Sequence, residues 1–301
     1  MTTLTRSGAQ IALKNILFAT DFEISASRAL PFAVALAKRY GAKLYAVHVI
    51  PPEAYALASA ESFARVLAEA ADFGKYSLNQ LLSPLRTHGI SCEALLGDGN
   101  VADVVEKLVE DRTADLLVVG TSGRMGLGKA FVGSVAEELI RESPCPVLTV
   151  GPHVTTLASS GVQCIICATD FSPASKRAVQ FAGSLAEEYQ AHLTLFHVLE
   201  GRLPTSLPFA IEFAERRLRE ALPAEIELPH KPEIVVETGS VADRILNLAT
   251  DLPADIMVMG ARGVGSFAEM ASHFGSTAHR VVSLAHCPVL TVNDVQELER
   301  Q

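Results

Sequence analysis

The stretch NILFATDFEISASRALPFAVALAKRYGAKLYAVHVI at residues 15–50 comes back as CIICATDFSPASKRAVQFAGSLAEEYQAHLTLFHVLE at residues 164–200. Shifting residues 16–50 by 149 positions gives 16 identities in 35. Residues 99–123 return at a shift of 140 with 11 identities in 25, and residues 133–150 at a shift of 142 with 9 in 18. Both copies end in CPVLTV. A period this long is not a solenoid repeat, so the chain is a duplicated domain. The expected units are residues 1–152 and 162–301, joined by GPHVTTLASSG at 151–161, a small and polar linker. The changing shift places a loss of nine residues in the second copy, between its second strand and its mid-domain glycine. Two residues are gained there after Gly263.

Within each half, short apolar runs alternate with helical periodicity. NILFA (15–19) reads as a buried strand, and Ser25 to Tyr40 carries Ala29, Phe32, Ala33, Leu36 and Ala37 at helical spacing, with Gly41 as the C-cap. AKLYAVHVI is a strand, and residues from about 60 to 87 form a long helix with Gly74 and Pro84 as weak points. ISCEALL is a strand, Val101 to Asp111 a helix, DLLVVG a strand, Gly133 to Glu142 a short helix and PVLTV the last strand. The second half repeats this order with a shorter second helix around 206–222. Strands apolar on both faces predict a parallel sheet covered by helices on both sides. The expected fold class is α/β: two tandem, open, five-stranded parallel-sheet domains of Rossmann-like build, related by pseudo-twofold symmetry.

The composition narrows the function. The chain has 301 residues, 49% apolar and 20% charged, with a net charge of −9. An acidic chain without a basic run does not suit nucleic acid or an anionic membrane surface. No apolar stretch approaches the roughly 18 residues a spanning helix needs, and no apolar h-region precedes the first strand. The five cysteines read as reduced thiols, so a cytoplasmic location is expected.

In an open parallel sheet, ligands bind beyond the carboxyl ends of the strands, where strand order reverses. The residues there are Ala19, Thr20 and Asp21, matched by Ala168, Thr169 and Asp170, and Val49, matched by Val198. After the fourth strand comes GTSGRMGLGKAFVGS, residues 120–134. Its glycines allow close backbone approach, and the helix opening at Gly133 and Ser134 turns unpaired N–H groups toward anionic oxygens. Ser134 adds a hydroxyl, and Lys129 can assist from the loop. This is a phosphate site without a basic patch.

The pattern G-x-x-G, nine residues, G-S after a V-V-G strand, with A-T-D-F after the first strand, resembles the universal stress protein family. The resemblance runs over nearly the whole chain, twice, as a tandem member with a fold like that of the adenine nucleotide alpha hydrolases. It implies ATP, ADP or AMP as ligand, with Mg²⁺ held through phosphates only. Carried over, Gly123, Gly133, Ser134 and Val135 line the phosphates. Gly120, Thr121 and Ser122 lie near the ribose, and Thr20, Asp21 and the Val49 backbone hold the adenosine end. Arg124 either contacts phosphate or is a solvated loop residue. The second half departs from the pattern. Eleven residues separate Gly263 from Gly275-Ser276, no lysine replaces Lys129, and Gly260 keeps the strand-end glycine. Residues 1–155 carry 14 basic and 16 acidic side chains, net −2, and residues 156–301 carry 11 and 18, net −7. A weaker or altered second site is expected. Single-domain members of the family dimerise through the last strand. The resemblance therefore implies an internal pseudo-dimer, PVLTV against PVLTV, with a homodimer of chains and an unknown protein partner left open. The long helix at 60–87 is either an added interface or an elaborated cover helix.

Plainer readings stand beside these. Asp21 and Asp170 suit a helix N-cap or a turn. GRMGLGKA (123–130) mimics a P-loop, but Ala130 supplies no hydroxyl for Mg²⁺. Cys164 and Cys167 lie three apart in a strand, on opposite faces, which argues for packing rather than redox chemistry. His48 and His197 occupy one repeated strand position and read as satisfied residues at the crevice rim. No metal-ligand spacing or Ser-His-Asp set is present, so catalysis is not indicated. Slow ATP hydrolysis and a ligand-free scaffold are the rival functions.

Overall fold

The structure is a computed structural model that describes residues 11–121, 132–154, 161–200, 206–262 and 276–294. The first half runs β1 (Asn15–Ala19), α1 (Ile24–Tyr40), β2 (Lys43–Ile50), α2 (Phe63–Thr87), β3 (Cys92–Asp98), α3 (Val101–Asp111), β4 (Leu116–Gly120), α4 (Ser134–Glu142) and β5 (Val147–Val150). The second half runs β6 (Cys164–Ala168), α5 (Pro173–Tyr189), β7 (His192–Leu199), α6 (Leu207–Arg219), β8 (Glu233–Thr238), α7 (Val241–Asp251), β9 (Ile256–Gly260), α8 (Ser276–Leu284) and β10 (Val289–Val292). The third strand starts two residues later than the apolar pattern suggests, and α6 is shorter at its end.

The two expected five-stranded sheets are one ten-stranded sheet, in the order β3-β2-β1-β4-β5-β10-β9-β6-β7-β8. Neighbours are parallel within each half, and β5 and β10 meet antiparallel with Leu148 opposite Leu290. These leucines are equivalent in the repeat, so a pseudo-twofold axis passes between them. Along this seam the Thr149 hydroxyl donates to the Val289 carbonyl at 2.9 Å, and the Thr291 hydroxyl to that of Val147 at 3.3 Å. The buried hydroxyls are thereby satisfied, as a dry strand pair requires. On one face, Phe18, Leu44 and Leu195 pack under α1, α2, α5 and α6. On the other, Leu17, Val47 and Phe196 pack under α3, α4, α7 and α8.

Two repeated positions face each other at the C-terminal ends of α1 and α5. The Tyr40 and Tyr189 rings lie 6.5 Å apart, edge to face, and Arg39 pairs with Glu188 at 3.2 Å. The duplicate thus sets unlike charges where identical halves would set like ones. A second link crosses the seam at Asn293. Its side-chain amide donates to the carbonyls of Ile140 and Ser143 at 2.8 and 3.1 Å, capping the end of α4 in the other half.

The helix α2 runs unbroken through both suspected weak points. Gly74 sits there because a Cβ would stand 2.8 Å from Leu96 Cδ1 and 3.1 Å from His48 Cδ2. Tertiary packing overrides helix propensity here.

The helices α3 and α4 carry a charge conflict that α7 and α8 lack. Arg280 pairs with Asp243 in the second half, whereas the equivalent residues of the first half are Glu138 and Asp103. Between them, Glu106 Oε1 is buried with no hydrogen-bond partner among the described residues. Burial, then Glu142 and Glu138, raise its carboxyl to about 7. An acid raised in the fold costs stability as pH climbs through that value, and the cost vanishes below the unfolded carboxylate range. Glu106→Leu, the residue at the equivalent position 246, is expected to stabilise by about 1 kcal/mol at pH 8 after allowance for solvent screening. The gain should shrink toward pH 5 in parallel urea titrations.

Candidate functional site

Strand order reverses between β1 and β4, whose carboxyl ends frame the first crevice. Beyond β1 the chain stays pinned. Thr20 N–H donates to Val47 O at 2.9 Å, continuing the β1–β2 pairing. Thr20 Oγ1 accepts from Phe22 N–H at 3.0 Å, and Asp21 Oδ1 accepts from Glu23 N–H at 2.9 Å. Asp21 is therefore the turn residue of the two readings. The N-cap position of α1 belongs to Glu23, which makes no side-chain cap bond. Phe22 takes a left-handed φ of 64°. Asp21 stands exposed at the mouth.

His48, two residues before the end of β2, has Nδ1 2.9 Å from the Thr20 carbonyl. The carbonyl can only accept, so the proton sits on Nδ1. The imidazole also lies 4.4 Å from the Phe22 ring. His48 thus holds the Thr20–Phe22 turn from below, as a positioning residue.

The second half repeats this arrangement. Thr169 Oγ1 accepts from Phe171 N–H at 3.0 Å, Asp170 Oδ1 from Ser172 N–H at 3.0 Å, and His197 Nδ1 donates to Thr169 O at 2.8 Å. Phe171 also has a φ of 64°. Here Ser172 does cap its helix, accepting from Ser175 N–H at 3.2 Å. Burial lowers the affinity of His197 for a proton; the Thr169 carbonyl and Asp170 oppose that, and Arg217 adds to it. A base lowered in the fold gives stability that is complete above the unfolded value and is lost as pH falls below about 6.5. Replacing it in His197→Gln should flatten the acid limb of a stability–pH curve measured by thermal unfolding.

Val49 and Val198 are buried near the ends of β2 and β7. The two strand-end glycines serve packing. A Cβ on Gly120 would lie 2.2 Å from the Ser25 carbonyl oxygen, and one on Gly260 3.0 Å from Ser175 N. They let the first turns of α1 and α5 sit against the sheet. Thr121 is buried, its N–H bonded to Val150 O at 3.0 Å, and its Oγ1 has no partner among the described residues. Gly133 holds a φ of 95°, which suits glycine, and opens α4 with Ser134 and Val135 exposed in its first turn. Ser276 opens α8. Ser122, Gly123, Arg124 and Lys129, with Gly263 and Gly275, lie outside the described residues.

Cys167 and Cys145 are buried and Cys164 partly so, all three with free thiols. Burial pushes Cys145 up to about 12, far from a reactive thiolate. Among the described residues, no His, Cys, Asp and Glu group of three or more is arranged to hold a metal ion. No described helix is long and apolar enough to cross a membrane.

The sequence alone does not join Thr20 to His48. The signal is nevertheless there: A-T-D-F and H-V recur together at one shift in both halves.

Known proteins align with about half of this chain. A universal stress protein of Methanocaldococcus jannaschii is 28% identical over 151 residues, 50% of this chain and 88% of its own. A putative universal stress protein of Staphylococcus aureus is 36% identical over 143 residues, 46% of this chain and 85% of its own. The crystal structure of a universal stress protein from Archaeoglobus fulgidus covers 93% of this chain and 98% of its own, with a TM-score of 0.71 at 20% identity. That likeness shows the tandem fold. The sequence profile of the universal stress protein family matches residues 12–151 and again 162–293, and the chain belongs to that family as a tandem member.

Proposed function

We propose that the chain is an adenine-nucleotide-binding regulatory protein of the cytoplasm that loads ATP in its first domain. The units are residues 1–152 and 162–301. The reading rests on one observation above all: Gly133, at a φ of 95°, opens α4 with Ser134 exposed in the first turn. That helix start offers unpaired N–H groups and a hydroxyl to phosphate oxygens. Gly123, Arg124 and Lys129 complete the phosphate loop, with Val135 beside it and Mg²⁺ bound through the phosphates. Thr121 and Ser122 border the ribose, and Ala19, Thr20, Asp21 and the Val49 backbone take the adenosine. ADP and AMP use the same donors with fewer phosphates. The second crevice, with Thr169, Asp170, Val198, Gly260, Gly263, Gly275 and Ser276, binds ATP more weakly because its loop carries no counterpart of Lys129.

Ligand-linked stability tests this directly. ATP with Mg²⁺ at about 100 times its Kd should add ~2.7 kcal/mol to unfolding of the first domain. The Gly133→Val variant should lose that gain, since a β-branched residue is strained at this φ and fills the phosphate approach. An ATP shift that survives in the variant would remove phosphate binding from this loop.

A further inference from the structure

The two ends of the seam are built differently. A shift of 142 pairs Gly151 with Asn293, Ile140 with Val282 and Ser143 with Ala285. At one end the Asn293 amide donates to the carbonyls of Ile140 and Ser143 at 2.8 and 3.1 Å. At the other, Gly151 has no side chain to send to the carbonyls of Val282 and Ala285. These two carbonyls lie in the last turn of α8 and just beyond it, where a helix leaves its final C=O groups without an intrahelical donor. Among the described residues, no side chain and no loop N–H donates to either.

A hydroxyl stands at this end instead. Position 121 is threonine in the first half, and its counterpart at a shift of 140 is Ala261. Thr121 is 2% exposed, and its Oγ1 has no partner among the described residues. A Cβ on Gly151 would have as its three nearest atoms Val282 O at 3.1 Å, Thr121 Oγ1 at 3.8 Å and Ala285 O at 3.9 Å. All three are oxygens, and all three border the space that a side chain at position 151 would take. Gly151, Thr121, Val282 and Ala285 are each buried. The duplicate thus pairs asparagine with alanine at one end, and glycine with threonine at the other.

The chemistry of the three oxygens specifies an occupant. Buried polar groups are paired with protein or with ordered water in nearly all cases. The two carbonyls can only accept, and the hydroxyl has one proton to donate. The occupant must therefore give two hydrogens and take one, and it must be small. Water meets all three demands, with the three bonds that a buried water typically makes. A bare cation suits the site poorly, because none of the three nearest groups is a carboxylate to offset its charge.

We propose that a water molecule binds beside Gly151, donating to the Val282 and Ala285 carbonyls and accepting from the Thr121 hydroxyl, and so caps α8 as the Asn293 amide caps α4. The second half carries its cap within the chain, whereas the first half recruits one from solvent. The site stands independently of nucleotide binding, because its groups are buried along the seam.

Oxygen-17 relaxation dispersion counts long-lived internal waters in the full chain. Gly151→Asn supplies the amide, and Thr121→Ala beside it copies the Asn293–Ala261 end. The double variant should hold one long-lived water fewer than the parent. An unchanged count in the folded double variant would overturn the proposal. Should the double variant not fold, a crystal structure of the parent decides: an oxygen peak within about 3.2 Å of Val282 O, Ala285 O and Thr121 Oγ1 is expected, and none there would overturn it. Replacing sodium by ammonium at fixed ionic strength should leave the thermal midpoint of the parent unmoved. A midpoint that follows the cation, lost in the double variant, would assign the site to an ion and overturn the assignment to water.

Discussion

The Gly120→Ala variant should be destabilised by about 3 kcal/mol or more, and far more than Gly260→Ala, although both add one methyl group at equivalent positions. The added Cβ of the first stands 2.2 Å from Ser25 O, 2.3 Å from Ser25 C and 2.7 Å from Ala26 N. These are backbone atoms, so no rotamer change relieves the overlap. β4 cannot retreat, because it is bonded to β1 on one side and β5 on the other. The helix α1 would have to lift, opening the layer that buries Ala29, Phe32 and Ala33. At Gly260 the nearest atom is Ser175 N at 3.0 Å, followed by Ala174 at 3.3 Å. A shift of a few tenths of an ångström accommodates that, so about 1 kcal/mol is expected. Urea unfolding of both variants checks the order, and equal losses would mean that α1 slides freely over β4.

The second large effect is expected at Asn293. Replacing it by alanine removes two hydrogen bonds and leaves the Ile140 and Ser143 carbonyls buried without their donor, a loss of about 2–3 kcal/mol. Asn293→Asp should cost more than alanine at neutral pH, because a carboxylate would face two carbonyl oxygens. No compensation is available from the symmetric position. Gly151 stands there and has no side chain, and a Cβ on it would approach Val282 O at 3.1 Å. The halves should also lose mutual cooperativity, visible as a broadened or split unfolding transition. A single sharp transition at unchanged midpoint in Asn293→Ala would show that the strand seam alone joins the halves.

Much of this architecture is legible from local pattern. Apolar runs such as NILFA and PVLTV form the strands, the spacing of Ala29, Phe32, Ala33 and Leu36 gives α1, and the repeat together with the implied last-strand pairing anticipates the join of β5 to β10. What escapes is decided by contacts between distant segments. Gly74 looks like a helix fault until Leu96 and His48 stand beside it. Gly120 looks like a ligand-facing glycine, but its hydrogen-only side meets Ser25. Asp21 leaves a helix N-cap and a turn both open, and the choice depends on Phe22 adopting a left-handed φ that a phenylalanine rarely takes. That conformation is held by Thr20 and His48, 28 residues apart. The glycine-rich stretch 120–134 shows the opposite balance: its G-S spacing is plain in the sequence, and of that segment the structure describes Gly120, Thr121 and the helix that it opens.

The antiparallel seam turns one half upside down against the other, so the two mouths point to opposite ends of the molecule. Occupants of the two could not touch. The helix α4 spans part of that separation, starting with exposed Ser134 and finishing under the Asn293 amide of the opposite half. Its counterpart α8 faces a bare Gly151. The two halves are therefore fastened unequally: the second grips the end of a helix of the first, and the grip is not returned.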